Sequence, residues 1–154
     1  VLQLRPGGVG HLKLASDDID DHPGVHPNYL ATERDQKTIV KGIQIARKIA
    51  QFEPLKSHIT EEYQPGHEVA MDDYDSTLNW ARNTAVTIYH PTGTCKMGSD
   101  PMAVVDSRLR VHGLRGLRVA DASIMPTITS GNTNAPAIMI GEKVSDMILE
   151  DAKL

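Results

Sequence analysis

The stretch of sequence that decides the fold is residues 89–98, which read YHPTGTCKMG. It places His90 directly before a proline and a Thr-Gly-Thr turn, which would fix the histidine at the end of an element. Imidazole is the side chain best suited to accept a proton near neutral pH. A lone histidine is more often a structural residue bonded to a backbone carbonyl, so the interpretation of His90 depends on the blocks around it.

The downstream blocks are residues 117–126, LRVADASIMP, and residues 130–136, SGNTNAP, followed by a helical pattern. Residues 117–120 predict a strand that Asp121 ends. Asn134 is a candidate N-cap for the last helix, and Pro136 is tolerated in its first turn. Residues 135–141 are apolar on all sides, which predicts a buried helix N-terminus. Carboxylates at the other end of this helix oppose its dipole and predict fraying there.

The upstream half contains two helical patterns and one alternating stretch. Residues 33–51 repeat apolar side chains at helical spacing behind Thr32, a good N-cap. Residues 72–84 also read as a helix, with acidic residues at its start. Residues 9–15 alternate apolar and polar side chains and predict a half-buried strand. Together these elements predict an α+β fold, with a small, mostly antiparallel sheet and flanking helices.

Composition excludes several classes of protein. The chain has 154 residues, 40% of them hydrophobic and 23% charged, which suits one globular domain. A formal net charge of −4 argues against a nucleic-acid surface. No apolar run approaches the ~18 residues of a membrane span. The single cysteine, Cys95, rules out an intrachain disulfide and suits the cytoplasm, with attachment to the membrane periphery left open. The first residue is valine, so we expect a piece of a longer protein.

Several collinear blocks resemble the glucose–methanol–choline (GMC) flavoprotein oxidoreductases. Residues 89–98 fill each fixed position of that family's Tyr-His-Pro-x-Gly-Thr-Cys-x-Met-Gly block. Similar blocks follow at 106–113, 117–123 and 130–136, and less similar ones precede at 5–14 and 26–30. The resemblance covers nearly the whole chain and is closest to the C-terminal, substrate-side part of the family. An asparagine at position 132, where other members have histidine, is similar to the choline-dehydrogenase-like branch.

The resemblance implies an FAD-dependent oxidation of a primary alcohol, choline-like or other, to an aldehyde. His90 would be the acid/base that handles the hydroxyl proton. Asn132 would donate a hydrogen bond to the substrate oxygen as charge builds there. The partners implied are a small-molecule alcohol and the FAD-binding half of the same protein.

The resemblance also implies how the cofactor is held. FAD contacts are expected at the strand end, Asp121 and Ala122, and at the start of the last helix, Thr133, Asn134 and Pro136. The Gly-x-Gly-x-x-Gly turn that binds dinucleotides is not present, because residues 7–10 have other spacing and no helix follows. We therefore expect FAD to be bound mainly by an N-terminal half outside these residues, and this chain alone to be inactive. Residues 1–115 would belong to the substrate-binding domain, and residues 116–154 would lie against the FAD-binding domain.

Other interpretations remain open beside this one. The chain could be a stand-alone, non-catalytic binding module from a truncated gene that keeps the family's fold. A nicotinamide-dependent dehydrogenase has no fingerprint here. Cys95 lacks an orienting third group and is interpreted as structural. The aspartates and histidines of residues 17–26 match no established ligand spacing, so we expect a solvated loop and no metal site.

Overall fold

The computed structural model describes residues 1–153 and divides into two compact units, Val1–Val86 and Thr87 onward. The two units are described separately. Leu154, the last residue of the predicted segment 116–154, lies outside the described residues. The predicted boundary after residue 115 concerns the domains of a longer protein and stays a prediction. Within residues 1–153, no helix has both the length and the hydropathy to cross a membrane.

The first unit begins with a two-stranded antiparallel ribbon. Strand β1, His11–Lys13, pairs with β2, Gly24–His26, so that His11 lies opposite His26 and their rings stack at 4.6 Å. The expected half-buried strand is wrong in one respect, since every residue of β1 is exposed, including Leu12 at 49%. Alternation predicted the strand, but a ribbon of two short strands covers neither of its faces.

Two helices follow, α1 over Glu33–Ile49 and α2 over Tyr74–Thr84, with a short 3₁₀ turn at Leu55–His58 between them. The predicted cap is confirmed, because the Thr32 hydroxyl accepts a hydrogen bond from the Asp35 amide at 3.1 Å. Asp73 caps α2 in the same way through the Ser76 amide, also at 3.1 Å. The two helices pack together, and the α+β architecture with a small antiparallel sheet is confirmed.

A buried carboxylate ties the N-terminal segment to α1. Asp35 is 1% exposed and accepts hydrogen bonds from the Gly7 amide at 2.8 Å, the Gly8 amide at 2.7 Å and the Gln3 side chain at 2.6 Å. Burial alone would raise the pKa of Asp35, but these donors together with Thr32 lower it below its usual value. The carboxylate is therefore charged and fully engaged.

The second unit is built around an apolar cluster and the last helix, α3, over Asn134–Asp151. Its core contains Val105, Leu109, Ile124, Met125, Ile140 and Val144. The strand expected over residues 117–120 is not formed. Instead, three isolated bridges connect the loops, Met97 with Val105, Val105 with Val111, and Arg110 with Arg118. The chain reverses between these short contacts, at Gly113 and Gly116 among others, so no ladder extends.

The C-terminal end of α3 is held by two arginines, so the expected fraying there is wrong. The Arg108 guanidinium donates to the Met147 carbonyl at 3.0 Å, to Glu150 at 3.1 Å and to Asp151 at 2.8 Å. Arg118 pairs with Asp151 as well and donates to the Arg108 carbonyl at 2.7 Å. We call Arg108, Arg118 and Asp151 the α3 clasp. These cations offset the unfavourable dipole interaction of the acidic residues.

A second carboxylate of this unit makes its stability pH-dependent. Asp106 accepts from the Arg108 amide at 2.8 Å, the Arg110 amide at 3.0 Å and the Arg110 guanidinium at 2.8 Å. Burial opposes ionisation, but the two amides and the guanidinium outweigh it and lower the pKa of Asp106 from 3.8 to about 2.

The depressed pKa of Asp106 predicts when its stabilisation is lost. The contribution is complete above the unfolded value of 3.8 and disappears as the pH falls through about 2. At neutral pH, the free energy of unfolding of the wild type is expected to exceed that of Asp106→Asn by at most about 2 kcal/mol. Urea unfolding of both proteins between pH 2 and pH 7 would test this. A difference that stays constant over that range would contradict it.

Candidate active site

His90 lies on a turn whose backbone is unusual. Tyr89 has a φ of 63°, a left-handed conformation that side chains seldom adopt, and its amide donates to the Thr87 hydroxyl at 3.0 Å. Gly93 completes the turn with a φ of 88°, where glycine carries no steric cost. Tyr89 is 82% exposed, whereas His90 is partly buried. The turn therefore directs the histidine, and not the tyrosine, toward the body of this unit.

The residues after this turn are anchored to a neighbouring segment. The Cys95 amide donates to the Ser123 carbonyl at 3.0 Å, and the Met97 amide to the Ile124 carbonyl at 2.7 Å. Ser123 and Ile124 belong to a 3₁₀ turn at Ala122–Ile124 that packs against α3. The two predicted blocks, around residues 89–98 and 117–126, thus lie side by side. Cys95 is a partly buried free thiol.

His90 is held by a residue from the third predicted block. The Thr133 hydroxyl lies 2.7 Å from Nδ1 of His90, and Thr133 is 7% exposed. The contact joins residues 43 positions apart in the chain. Sequence reasoning placed Thr133 beside the cofactor but missed this contact. With Nδ1 occupied, Nε2 is the nitrogen that remains available for chemistry.

The start of α3 differs from two expectations. Thr133, and not Asn134, is the N-cap residue, while Asn134 is the first residue of the helix. The helix N-terminus is also not buried within the described chain, since Asn134 and Ala135 are exposed. Ile138 and Met139 in the next turn are 60% and 54% exposed. An apolar pattern on all sides predicted burial, but residues 1–153 bury only the face that carries Ile140 and Val144.

The remaining predicted site residues are near α3 or the 3₁₀ turn. Asp121 is exposed and caps the 3₁₀ turn, its carboxylate accepting from the Ser123 amide at 2.7 Å, and Ala122 begins that turn. Asn132 is exposed, and its amide has no hydrogen-bond partner within residues 1–153. Pro136 lies in the first turn of α3. In the structure His90 contacts Thr133, and Asn132 and Asn134 are the residues on either side of Thr133 in the chain.

The loop of residues 17–26 is organised by local contacts. The Ser16 hydroxyl donates to the Asp21 carboxylate at 2.5 Å, and the Asp20 amide donates to the Asp18 carboxylate at 3.0 Å. In the part of the chain that the structure describes, no group of three or more His, Cys, Asp or Glu residues is placed to hold a metal ion.

The class of protein follows from comparison with known families. A family model described as GMC oxidoreductase matches residues 6–141. The chain therefore belongs to the GMC oxidoreductase family, as the collinear blocks predicted. The matched range includes the His90 turn, the 3₁₀ turn and the first eight residues of α3.

Particular relatives support this assignment. The chain is 48% identical over 145 residues to an oxygen-dependent choline dehydrogenase of Escherichia coli O6:K15:H31 (strain 536 / UPEC), covering 94% of this chain and 26% of that protein. It is 45% identical over 149 residues to an alcohol dehydrogenase (acceptor) of Pseudomonas putida, covering 97% of this chain and 27% of that protein. The chain spans about a quarter of the length of these relatives.

Solved structures show the same fold. Pyridoxine 4-oxidase from Mesorbium loti superimposes with a TM-score of 0.86 at 31% identity, covering 93% of this chain and 28% of that chain. Formate oxidase of Aspergillus oryzae RIB40, in a structure that concerns modification of its FAD, superimposes with a TM-score of 0.87 at 31% identity, covering 94% of this chain and 25% of that chain.

Proposed function

We propose that the complete protein is an FAD-dependent oxidoreductase that oxidises a primary alcohol, choline-like or other, to an aldehyde. This chain supplies the substrate-side, C-terminal part. The observation that carries the proposal is the setting of His90, a partly buried histidine whose Nδ1 is occupied by Thr133 at 2.7 Å and whose Nε2 is left for substrate. Relatives at 48% and 45% identity, a choline dehydrogenase and an alcohol dehydrogenase, support this class of reaction.

The residues at the start of α3 fit an electron-rich cofactor. The first amides of an α-helix have no intrahelical acceptor, and the helix dipole places partial positive charge there. Asn134 and Ala135 are exposed, and no side chain caps this end. Thr133, Asn134 and Pro136 would therefore lie along the flavin, with Asp121 and Ala122 contacting FAD mostly through their backbone. When bound, FAD would accept the hydride that leaves the alcohol carbon.

His90 and Asn132 would both act on the hydroxyl group of the alcohol. His90 accepts the hydroxyl proton, which leaves negative charge developing on that oxygen. The Asn132 amide, exposed and without a partner in residues 1–153, is free to donate a hydrogen bond to it. A fixed donor aimed at developing charge stabilises the transition state more than the bound substrate.

Exposed apolar side chains on α3 and beside His90 support the proposal that another part of the protein covers this surface. Ile138 and Met139 on α3 are 60% and 54% exposed, and Tyr89 beside His90 is 82% exposed. Large apolar groups left exposed beside a functional residue are compatible with an interface. We propose that the FAD-binding half of the same protein covers them, with residues 116–154 lying against that half and residues 1–115 in the substrate-binding domain. A closed surface around His90 and Asn132 would instead have favoured a stand-alone module.

The test is a spectrum of the complete protein. The purified protein is expected to show flavin absorbance that bleaches when choline or a simple primary alcohol is added without oxygen. The alcohol that bleaches it defines the substrate class. A colourless protein would contradict the proposal and favour the non-catalytic binding module.

A further inference from the structure

We propose that Thr133 is a positioning residue whose hydroxyl orients the His90 ring, so that Nε2 and not Nδ1 exchanges the proton with substrate. The inference rests on the proposed function, since it assigns a proton-transfer atom to the same histidine. It goes beyond a cofactor contact for Thr133, because the hydroxyl is directed at the histidine.

The three α-helices of residues 1–153 show that Thr133 is an exception. Thr32 and Asp73 each use a side-chain oxygen to cap the helix that follows, accepting from Asp35 and Ser76 amides at 3.1 Å. Thr133 occupies the same N-cap position before α3, yet its side chain caps no amide. Threonine is a favoured N-cap residue. The Thr133 backbone is helical, with φ −84° and ψ 0°, whereas Thr32 and Asp73 are extended as capping residues usually are. Its hydroxyl lies 2.7 Å from Nδ1 of His90 and is not directed at a helix amide.

A hydroxyl is chemically suited to this position. Imidazole has two distinct nitrogens, and the hydrogen bond at one of them determines which tautomer is present. The Thr133 hydroxyl can accept from Nδ1–H or donate to an unprotonated Nδ1. In the proposed arrangement it accepts, so Nε2 carries the free lone pair. When the Nε2–H bond forms and the substrate O–H bond breaks, the electron pair stays on the alcohol oxygen. The Nδ1–H···O bond is the same before and after, so the ring does not have to turn during proton transfer.

The location of the hydroxyl makes this orientation durable. Thr133 is only 7% exposed, so water does not readily replace its hydroxyl at Nδ1. The backbone of Thr133 is fixed as well, since its carbonyl accepts from the Ala137 amide at 2.9 Å in the first turn of α3. On the other side, His90 is followed by Pro91 and a turn anchored to the 3₁₀ segment.

The experiment compares three variants of the complete, flavin-loaded protein. Thr133→Val keeps the shape and removes the hydroxyl, and Thr133→Ser keeps the hydroxyl. Thr129→Val is the matched control, because the Thr129 hydroxyl is buried without a partner within residues 1–153. The readouts are the rate constant of flavin reduction at saturating alcohol, KM, and the ¹⁵N shifts of the His90 ring nitrogens, assigned with His90→Gln.

Thr133→Val is expected to lower the rate constant on the order of tenfold to a hundredfold with little change in KM, because a misoriented group slows chemistry more than binding. Its His90 signals are expected to show a mixture of tautomers. Thr133→Ser and Thr129→Val should keep the single wild-type tautomer and nearly the wild-type rate. If Thr133→Val does not fold, Thr133→Ala takes its place.

Two results would overturn the inference. One is a hydroxyl-free variant with wild-type rate and ring shifts. The other is a Thr133→Ser protein as impaired as Thr133→Val, which would indicate a packing role only. If no alcohol bleaches the wild-type flavin, the proposed function fails, and the ring shifts of the Val and Ser variants still decide whether Thr133 sets the tautomer.

Discussion

Replacing His90 with alanine in the complete protein is expected to lower the rate constant of alcohol-dependent flavin reduction by about 100-fold to 10,000-fold. The variant loses the nitrogen that accepts the hydroxyl proton, whereas the amide of Asn132 and the α3 N-terminus remain. KM is expected to change less than the rate constant, because proton transfer matters chiefly in the transition state. Rapid mixing of the oxidised protein with alcohol under anaerobic conditions measures both quantities.

His112 provides the matched control for this experiment. It belongs to the same unit, is exposed, and has its Nε2 3.0 Å from the Gly98 carbonyl, and it has no role in the proposed chemistry. His112→Ala is expected to leave the reduction rate nearly unchanged. If His90→Ala reduces its flavin as fast as His112→Ala does, His90 is not the acid/base.

Replacing Asp35 with alanine is expected to lower the free energy of unfolding by about 3 kcal/mol. Asp35 is 1% exposed, and its carboxylate satisfies the Gly7 and Gly8 amides and the Gln3 side chain. Alanine would leave these donors without their acceptor. Urea unfolding of the complete protein measures the loss, and hydrogen exchange of residues 3–10 should show that this segment loses protection first.

Glu33 lies on the same helix and serves as the control for Asp35. Its carboxylate pairs with Lys37 at 2.6 Å in solvent, with both side chains more than half exposed. Exposed ion pairs contribute little to stability. Glu33→Ala should therefore leave both the unfolding transition and the protection of residues 3–10 nearly unchanged. Equal losses from the two substitutions would contradict a special role for the buried carboxylate.

The helices of the first unit could be predicted because their signals are local. Thr32 and Asp73 each cap an amide three residues away, and the apolar repeat of α1 spans consecutive turns. The His90 turn could be predicted for a different reason, since residues 89–98 match a family block position by position. Periodicity alone would have left His90 as a structural histidine.

The features that the sequence did not predict depend on long-range partners. The Thr133–His90 contact spans 43 positions, and the Arg108–Asp151 pair spans 43 as well. From the sequence alone, a threonine before a helix predicts a cap, and acidic residues at a helix C-terminus predict an unfavourable interaction with the dipole. Only the fold shows that their partners are a histidine and an arginine. Apolar periodicity likewise does not state what covers a face, which is why the exposed start of α3 was predicted to be buried.

The α3 clasp also determines the angular setting of the site. The helix has 18 residues and is about 27 Å long, with Thr133 before one end and Asp151 at the other. A slip of one residue along the helix would rotate it by about 100° and shift it by about 1.5 Å. The ion pairs of Arg108 and Arg118 with Asp151 oppose such a slip, and Ile140 and Val144 pack one face of the helix into the core. The contacts of Asp151 at the C-terminal end of α3 therefore help to determine the direction in which Thr133, at the other end, faces His90.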